Sequence, residues 1–99
     1  MVQLKVHNSY RDVVAICDTD LVGNVFEEGK FQLEVKENFY FGEEVDKGRL
    51  LLRIKELSSE DATFNIIGEK SIGIALNSGL IGKESIKTIQ GIPFSMVLL

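Results

Sequence analysis

Residues 13–17 read Val-Val-Ala-Ile-Cys, five apolar residues in a row between polar, turn-forming segments. A run that short and that continuous reads as a strand, and it commits the chain to building a sheet. Leu4 and Val6 alternate with polar neighbours ahead of it. Asn8-Ser9-Tyr10-Arg11-Asp12 supplies turn chemistry between them, so a hairpin is expected. Asp18-Thr19-Asp20 then offers N-cap oxygens for a short helical turn ended by Gly23-Asn24.

Further along, Val25 to Val35 reads as strand, turn, strand, with Phe31, Leu33 and Val35 on one face. Residues 37–44 form an aromatic loop around Phe39-Tyr40-Phe41, with room for a brief strand. Asp46 is placed to cap a helix running to about Leu57, in which Leu50, Ile54 and Leu57 fall at helical spacing. Thr63 to Ile67 reads as a strand ending at Gly68. A helix starts at Glu69, with Ile72, Ala75 and Leu76 inward, and Gly79-Leu80 stops it. Residues 85–89 and 92–98 read as two closing strands around Gln90-Gly91, with Pro93 near the start of the last. The expected architecture is α+β, one domain over residues 1–99, mainly antiparallel strands with two main helices on one face of a sheet.

Ninety-nine residues suffice for one core without disulfide or metal, and the lone Cys17 excludes an internal disulfide. No segment is long and apolar enough to span a membrane, and the start lacks a secretory pattern, so a cytoplasmic protein is expected. The net charge of −4 argues against indiscriminate nucleic-acid binding. The charges are uneven, however. Residues 1–46 hold four basic residues against ten acidic, and residues 47–99 seven against five. RNA contact, if any, belongs to the second half.

Chemistry has little to stand on. His7 is the sole histidine, so a zinc site or a serine triad lacks parts, and neither a phosphate-binding lysine loop nor a dinucleotide glycine pattern occurs. A Cys17–His7 pair across the first hairpin is conceivable. Asp18, Asp20, Glu43, Glu44 and Asp46 would bind a hard cation only if they converged, and each has a plain role as cap or solvated charge. The segment Asn65-Ile66-Ile67-Gly68-Glu69-Lys70-Ser71 has the isoleucine–glycine opening of a G-x-x-G nucleic-acid clamp, but Ser71 stands where the second glycine belongs. What remains there is a helix N-terminus with free backbone N–H groups and Lys70 beside it. Among three consecutive aromatics one ring is expected to be exposed, and Tyr40 would then stack on a base near Arg49 and Arg53.

Several phrases, in order, resemble one archaeal family, the domain of unknown function catalogued as number 424. They are CDTDLVGNVFEEG (17–29), FYFGEE (39–44), FNIIGEKSIGIALNSGLI (64–81) and IQGIPFSM (89–96). The family pattern falls on Asp18, Gly23, Phe39, Gly42, Glu43, Asn65, Glu69, Gly91 and Pro93. Asn24 departs from it where a lysine is usual, and Phe94-Ser95-Met96 where the family has a polar His-Ala-Gln. The resemblance implies a small protein with no established enzyme activity, described at most as RNA-binding and connected with translation.

The expectation is therefore a non-enzymatic module, without cofactor or metal, that contacts RNA or a ribonucleoprotein through Tyr40, Arg49, Arg53, Gly68 and Lys70. The rival is a protein-interaction adaptor or homodimer using residues 92–99, an apolar strand expected to present an unpaired edge.

Overall fold

A computed structural model describes residues 1–98. Its strands are β1 (Val2–His7), β2 (Val13–Asp18), β3 (Val25–Glu28), β4 (Phe31–Glu34), β5 (Glu43–Val45), β6 (Thr63–Ile67), β7 (Lys87–Ile89) and β8 (Ile92–Leu98). The α-helices are α1 (Glu37–Tyr40), α2 (Lys47–Ser58) and α3 (Glu69–Ser78). Six strands form one sheet in the order β5-β1-β2-β6-β8-β7, and β3 and β4 make a separate ribbon. Every pairing is antiparallel except β2 with β6.

The five-residue apolar run is explained by its place. β2 lies at the centre of the sheet, and the pleat sends alternate side chains to opposite faces. Val14 and Ile16 join the larger core with Phe64 and Ile66, under Leu50, Ile54 and Leu57 of α2 and Ile72 and Ala75 of α3. Ala15 and Cys17 point the other way, into a smaller core with Val35, Tyr40 and Ile67. Burial on both sides leaves no position for a polar residue.

Helix ends follow local chemistry. Asp46 Oδ1 accepts from the Arg49 N–H at 2.8 Å, which caps α2. At the far end of α3, Gly79 adopts a left-handed conformation with φ 84° and the Leu80 N–H returns to the Ala75 carbonyl, closing the helix.

Three expectations are corrected. Residues 37–44 are less of a loop than expected: the single turn α1 opens them, and the brief strand begins at Glu43 as β5. The turn is pinned from below, because Lys5 Nζ donates to the Asn38 carbonyl at 2.7 Å and His7 Nε2 lies 2.8 Å from the Phe39 carbonyl. The seventh strand is shorter than expected, since a 3-10 turn occupies Lys83–Ser85. Finally, β8 is an edge strand only in part. β7 pairs with Ile92, Pro93 and Phe94, whereas residues 95–98 pair with β6 alone. Pro93 is accommodated there because its contact beyond the end of β6 uses its carbonyl, which accepts from the Gly68 N–H at 2.9 Å.

β5 joins the opposite edge through a close approach at Gly42. A Cβ there would lie 2.5 Å from the Leu4 carbonyl oxygen and 2.8 Å from Lys5 Cβ. Both neighbours belong to a paired strand and have little freedom to retreat. Gly42→Ala is expected to destabilise the protein by about 1–3 kcal/mol by urea unfolding with an unchanged m-value.

Candidate functional site

Two regions hold several of the residues singled out from sequence, the end of the parallel strand pair and the sheet face opposite α2 and α3, while Arg49 and Arg53 lie apart on α2.

At the first, Cys17 and Ile67 are in register, so the next residues, Asp18 and Gly68, stand side by side where α3 begins. Gly68 has no side chain to cap its own helix. The Asp18 carboxylate does so instead, Oδ2 accepting from the Lys70 N–H at 3.1 Å and Oδ1 from the Ser71 N–H at 2.8 Å. Ser71 Oγ donates to the same Oδ1 at 2.7 Å. Asp18 and Ser71 are both buried. A carboxylate on the positive end of a helix, with three donors, is a favourable arrangement for a buried charge.

This overturns two expectations. Asp18 makes no side-chain cap to the 3-10 turn Thr19–Leu21 that follows it. The N–H groups of Lys70 and Ser71 are also not open to a phosphate, because the protein's own anion holds them. Gly68 is demanded by the approach: its φ is +111°, and an added Cβ would fall 2.3 Å from Asp18 Cγ. Neither residue advertises this role by local spacing, since they are about fifty positions apart. The available signal was a helix start with no capping residue of its own.

The basic residues are dispersed. Arg49 pairs with Glu43 at 3.3 Å and Arg53 with Glu56 at 3.0 Å. Lys70 and Lys47 line one groove of about 420 Å³, which Asp46 and Glu69 also line and from which Arg49 and Arg53 are absent. Tyr40 is buried, so the exposed ring of the aromatic trio is Phe41, while Phe39 stacks on His7 with ring centroids 4.5 Å apart. His7 lies across from Val13 and Cys17 across from Gln3, so the two do not meet. Among the described residues no group of three or more His, Cys, Asp or Glu is placed to hold a metal ion. No described helix is long and apolar enough to cross a membrane.

The remaining motif positions are mostly architectural. Gly23 and Gly91 occupy turns at φ 92° and 77°. The Gly42 N–H donates to Gln3 Oε1 at 3.1 Å, and Gln3 Nε2 donates to Thr19 Oγ1 at 3.2 Å, tying the β5 edge to the turn after β2. Asn65 is different. It stands between Ala15 and Met96 in the register and lines a cleft of about 360 Å³.

That cleft opens on the second face. Leu33 of the ribbon, Tyr40, Ile67, Phe94 and Met96 form apolar walls, and Asn65 and Lys87 supply polar atoms. A neighbouring cleft of about 480 Å³, lined by Phe31, Glu28 and Ile89 among others, shares Leu33, Lys87 and Phe94 with it. Volumes of this order are those of ligand-sized sites. Sequence reasoning named Tyr40, Asn65 and the strand at residues 92–99 separately but did not join them, because Leu33, Tyr40, Asn65, Lys87 and Phe94 come from five separate elements.

The sequence matches the family described as "Protein of unknown function (DUF424)" over residues 6–99. The chain belongs to this family. Comparison with the curated proteins gives no match. A solved structure, described as an uncharacterized conserved protein from Methanopyrus kandleri, is similar in fold. Its TM-score is 0.87 at 26% identity, covering 97% of this chain and 89% of that one. The DUF424 fold therefore extends across nearly the whole chain.

Two ionisable groups in the smaller core carry a pH consequence. Burial, then the Asp18 and Asp20 charges, push the Cys17 thiol from 9.0 up to about 12. Burial, then Cys17, push the Tyr40 hydroxyl from 10.0 up to about 12. Both are acids whose folded-state values exceed their unfolded ones. Their stabilising effect is therefore complete below about pH 9 and is lost as pH rises toward 12. Urea midpoints are expected to fall over that window, less steeply in Tyr40→Phe. Native Cys17 should resist a thiol reagent at pH 8 and react once unfolded.

The cap supplies a second test. Asp18→Ala is expected to cost about 2–3 kcal/mol, from the lost cap and a buried Ser71 hydroxyl left without its acceptor. A cycle with Ser71→Ala should be clearly non-additive in urea unfolding.

Proposed function

We propose that this DUF424 protein is a non-enzymatic binding module that receives a protein partner on the sheet face opposite α2 and α3. One observation carries the reading. Phe94, Met96 and Leu98 project from that face of β8, and Phe31 joins Phe94 across the shared cleft wall. Met96 is 63% exposed, Leu98 72% and Phe31 76%, whereas β8's other face packs Val97 on the larger core. A contiguous apolar surface of this kind is uncommon on a protein without a partner and marks an interaction site. β8 is thus the binding element of this reading through its exposed side chains, and its residues 95–98 also pair on one side alone.

The alternative of a contact with RNA or a ribonucleoprotein in translation draws on the charge split and on the family resemblance. The geometry lends it less support. Tyr40 is withdrawn into the core, Arg49 and Arg53 are each engaged by a carboxylate, and Lys70 shares its groove with Glu69 and Asp46. A homodimer is the case in which the partner is a second copy.

Site-specific photo-crosslinking in native extract separates these readings. A crosslinking residue at position 96 is expected to give a discrete protein adduct, and one at Leu52, equally exposed but isolated on α2, none. An adduct of twice the chain's mass would identify a second copy. Equal labelling from both positions counts against the reading. So would a labelled structured RNA bound at micromolar protein in low salt and released by Arg49→Ala, Arg53→Ala and Lys70→Ala.

A further inference from the structure

The 360 Å³ cleft has a chemical bias that points to what part of a partner it takes. Its walls are apolar, and its polar side chains are Tyr40, Asn65, Ser85, Lys87 and Ser95. Among the described residues lining it, Lys87 is the one charged side chain and none is a carboxylate. Lys87 has no ion-pair partner among the described residues, and the Asn65 amide makes no hydrogen bond to another described residue. The Ser95 hydroxyl is spent on Ser85, to whose carbonyl it donates at 3.1 Å. In the adjoining cleft Glu28 is the one carboxylate among the described lining residues, and it accepts from the Gln90 N–H at 2.8 Å.

An apolar cleft with an unpaired ammonium and an uncommitted amide is complementary to an anion carried on an apolar body. Leu33 and Phe94 line both clefts, which together offer two adjoining ligand-sized spaces. We propose that the cleft bounded by Leu33, Tyr40, Asn65, Lys87, Phe94 and Met96 binds a short acidic–apolar peptide segment. Its apolar side chains lie against Leu33 and Phe94 and its carboxylate meets Lys87 and Asn65. The inference rests on the reading that the partner is a protein, and it specifies the element of that partner that is recognised.

The test uses random heptapeptides displayed on phage, selected in parallel on the immobilised full chain and on its Lys87→Glu and Asn65→Asp variants. Lys87 is exposed and Asn65 half-buried, so both variants should keep the native circular dichroism, which is checked first. The full chain is expected to enrich peptides that place Asp or Glu beside apolar residues. Lys87→Glu should enrich Lys or Arg at the same place. A synthetic peptide of the leading sequence should lose about tenfold in affinity against Lys87→Glu and retain it against Lys87→Arg. Exchanging its acid for lysine should restore binding to Lys87→Glu.

Enrichment with no acidic preference overturns the proposal, as does binding that Lys87→Glu leaves unchanged. If no peptide is enriched while position 96 still crosslinks a protein, the cleft assignment fails and the docking face stands. If position 96 also fails, both readings fall together.

Discussion

The carboxylate of Asp18 is the interaction on which the rest of the structure turns. It joins the end of the central strand β2 to the start of α3, across a parallel strand pair whose own hydrogen bonds stop one residue earlier. The ends of parallel strands, where helices begin, commonly hold ligand anions because donors converge there. Here the anion is internal. α3 thereby gains a cap that its first residues cannot provide, and the direction in which it leaves the sheet is fixed. That direction places Ile72 and Ala75 over Ile16 and Phe64 and closes the larger core. The same contact explains why the stretch most suggestive of nucleic-acid binding is not an empty cradle: its geometry is real, and its occupant is Asp18.

How much of this is legible in the sequence depends on the range of the interaction. Asp46 above α2 and Gly79 at the close of α3 act on backbone three or four residues away, and both follow from local chemistry. The strands at residues 13–18, 63–67 and 92–98 follow from their apolar runs, and the ribbon from the turn at Gly29 and the alternation of the segment after it. The cap from Asp18 to Ser71 spans 53 positions, and the burial of Tyr40 depends on where the ribbon and α1 come to rest. Neither has a periodic or local signature. The position of β8 was legible only in part for a related reason: β7 folds back beside its first three residues, and only residues 95–98 keep the edge that an apolar terminal strand suggests.

The two faces of the sheet are covered unequally, and this asymmetry produces the candidate site. α2 and α3, twelve and ten residues long, seal one face. The other receives only a four-residue helix and two four-residue strands. The ribbon is held at both ends of its length. The Gly23 N–H bonds the Val35 carbonyl and the Val35 N–H the Asn24 carbonyl, while Gln90 reaches the Glu27 carbonyl and Glu28 Oε1. It therefore cannot slide to cover β8 without giving up one set of these bonds.

Fixing the ribbon at both ends leaves Phe94 and Met96 with a partial roof, in which Leu33 and Tyr40 provide walls but no lid. A strand facing only solvent would alternate apolar with polar residues, as β4 does with Gln32 and Glu34 between Phe31 and Leu33. β8 does not alternate in this way: Val97 faces the helices, yet Phe94, Met96 and Leu98 on the far side are also apolar. Stability alone does not require Met96 and Leu98, because neither is buried and each could be polar at little cost to folding. On the proposed reading their apolar character is explained by burial against a partner, and Lys87 and Asn65 at the margin of the same surface would favour an acidic one.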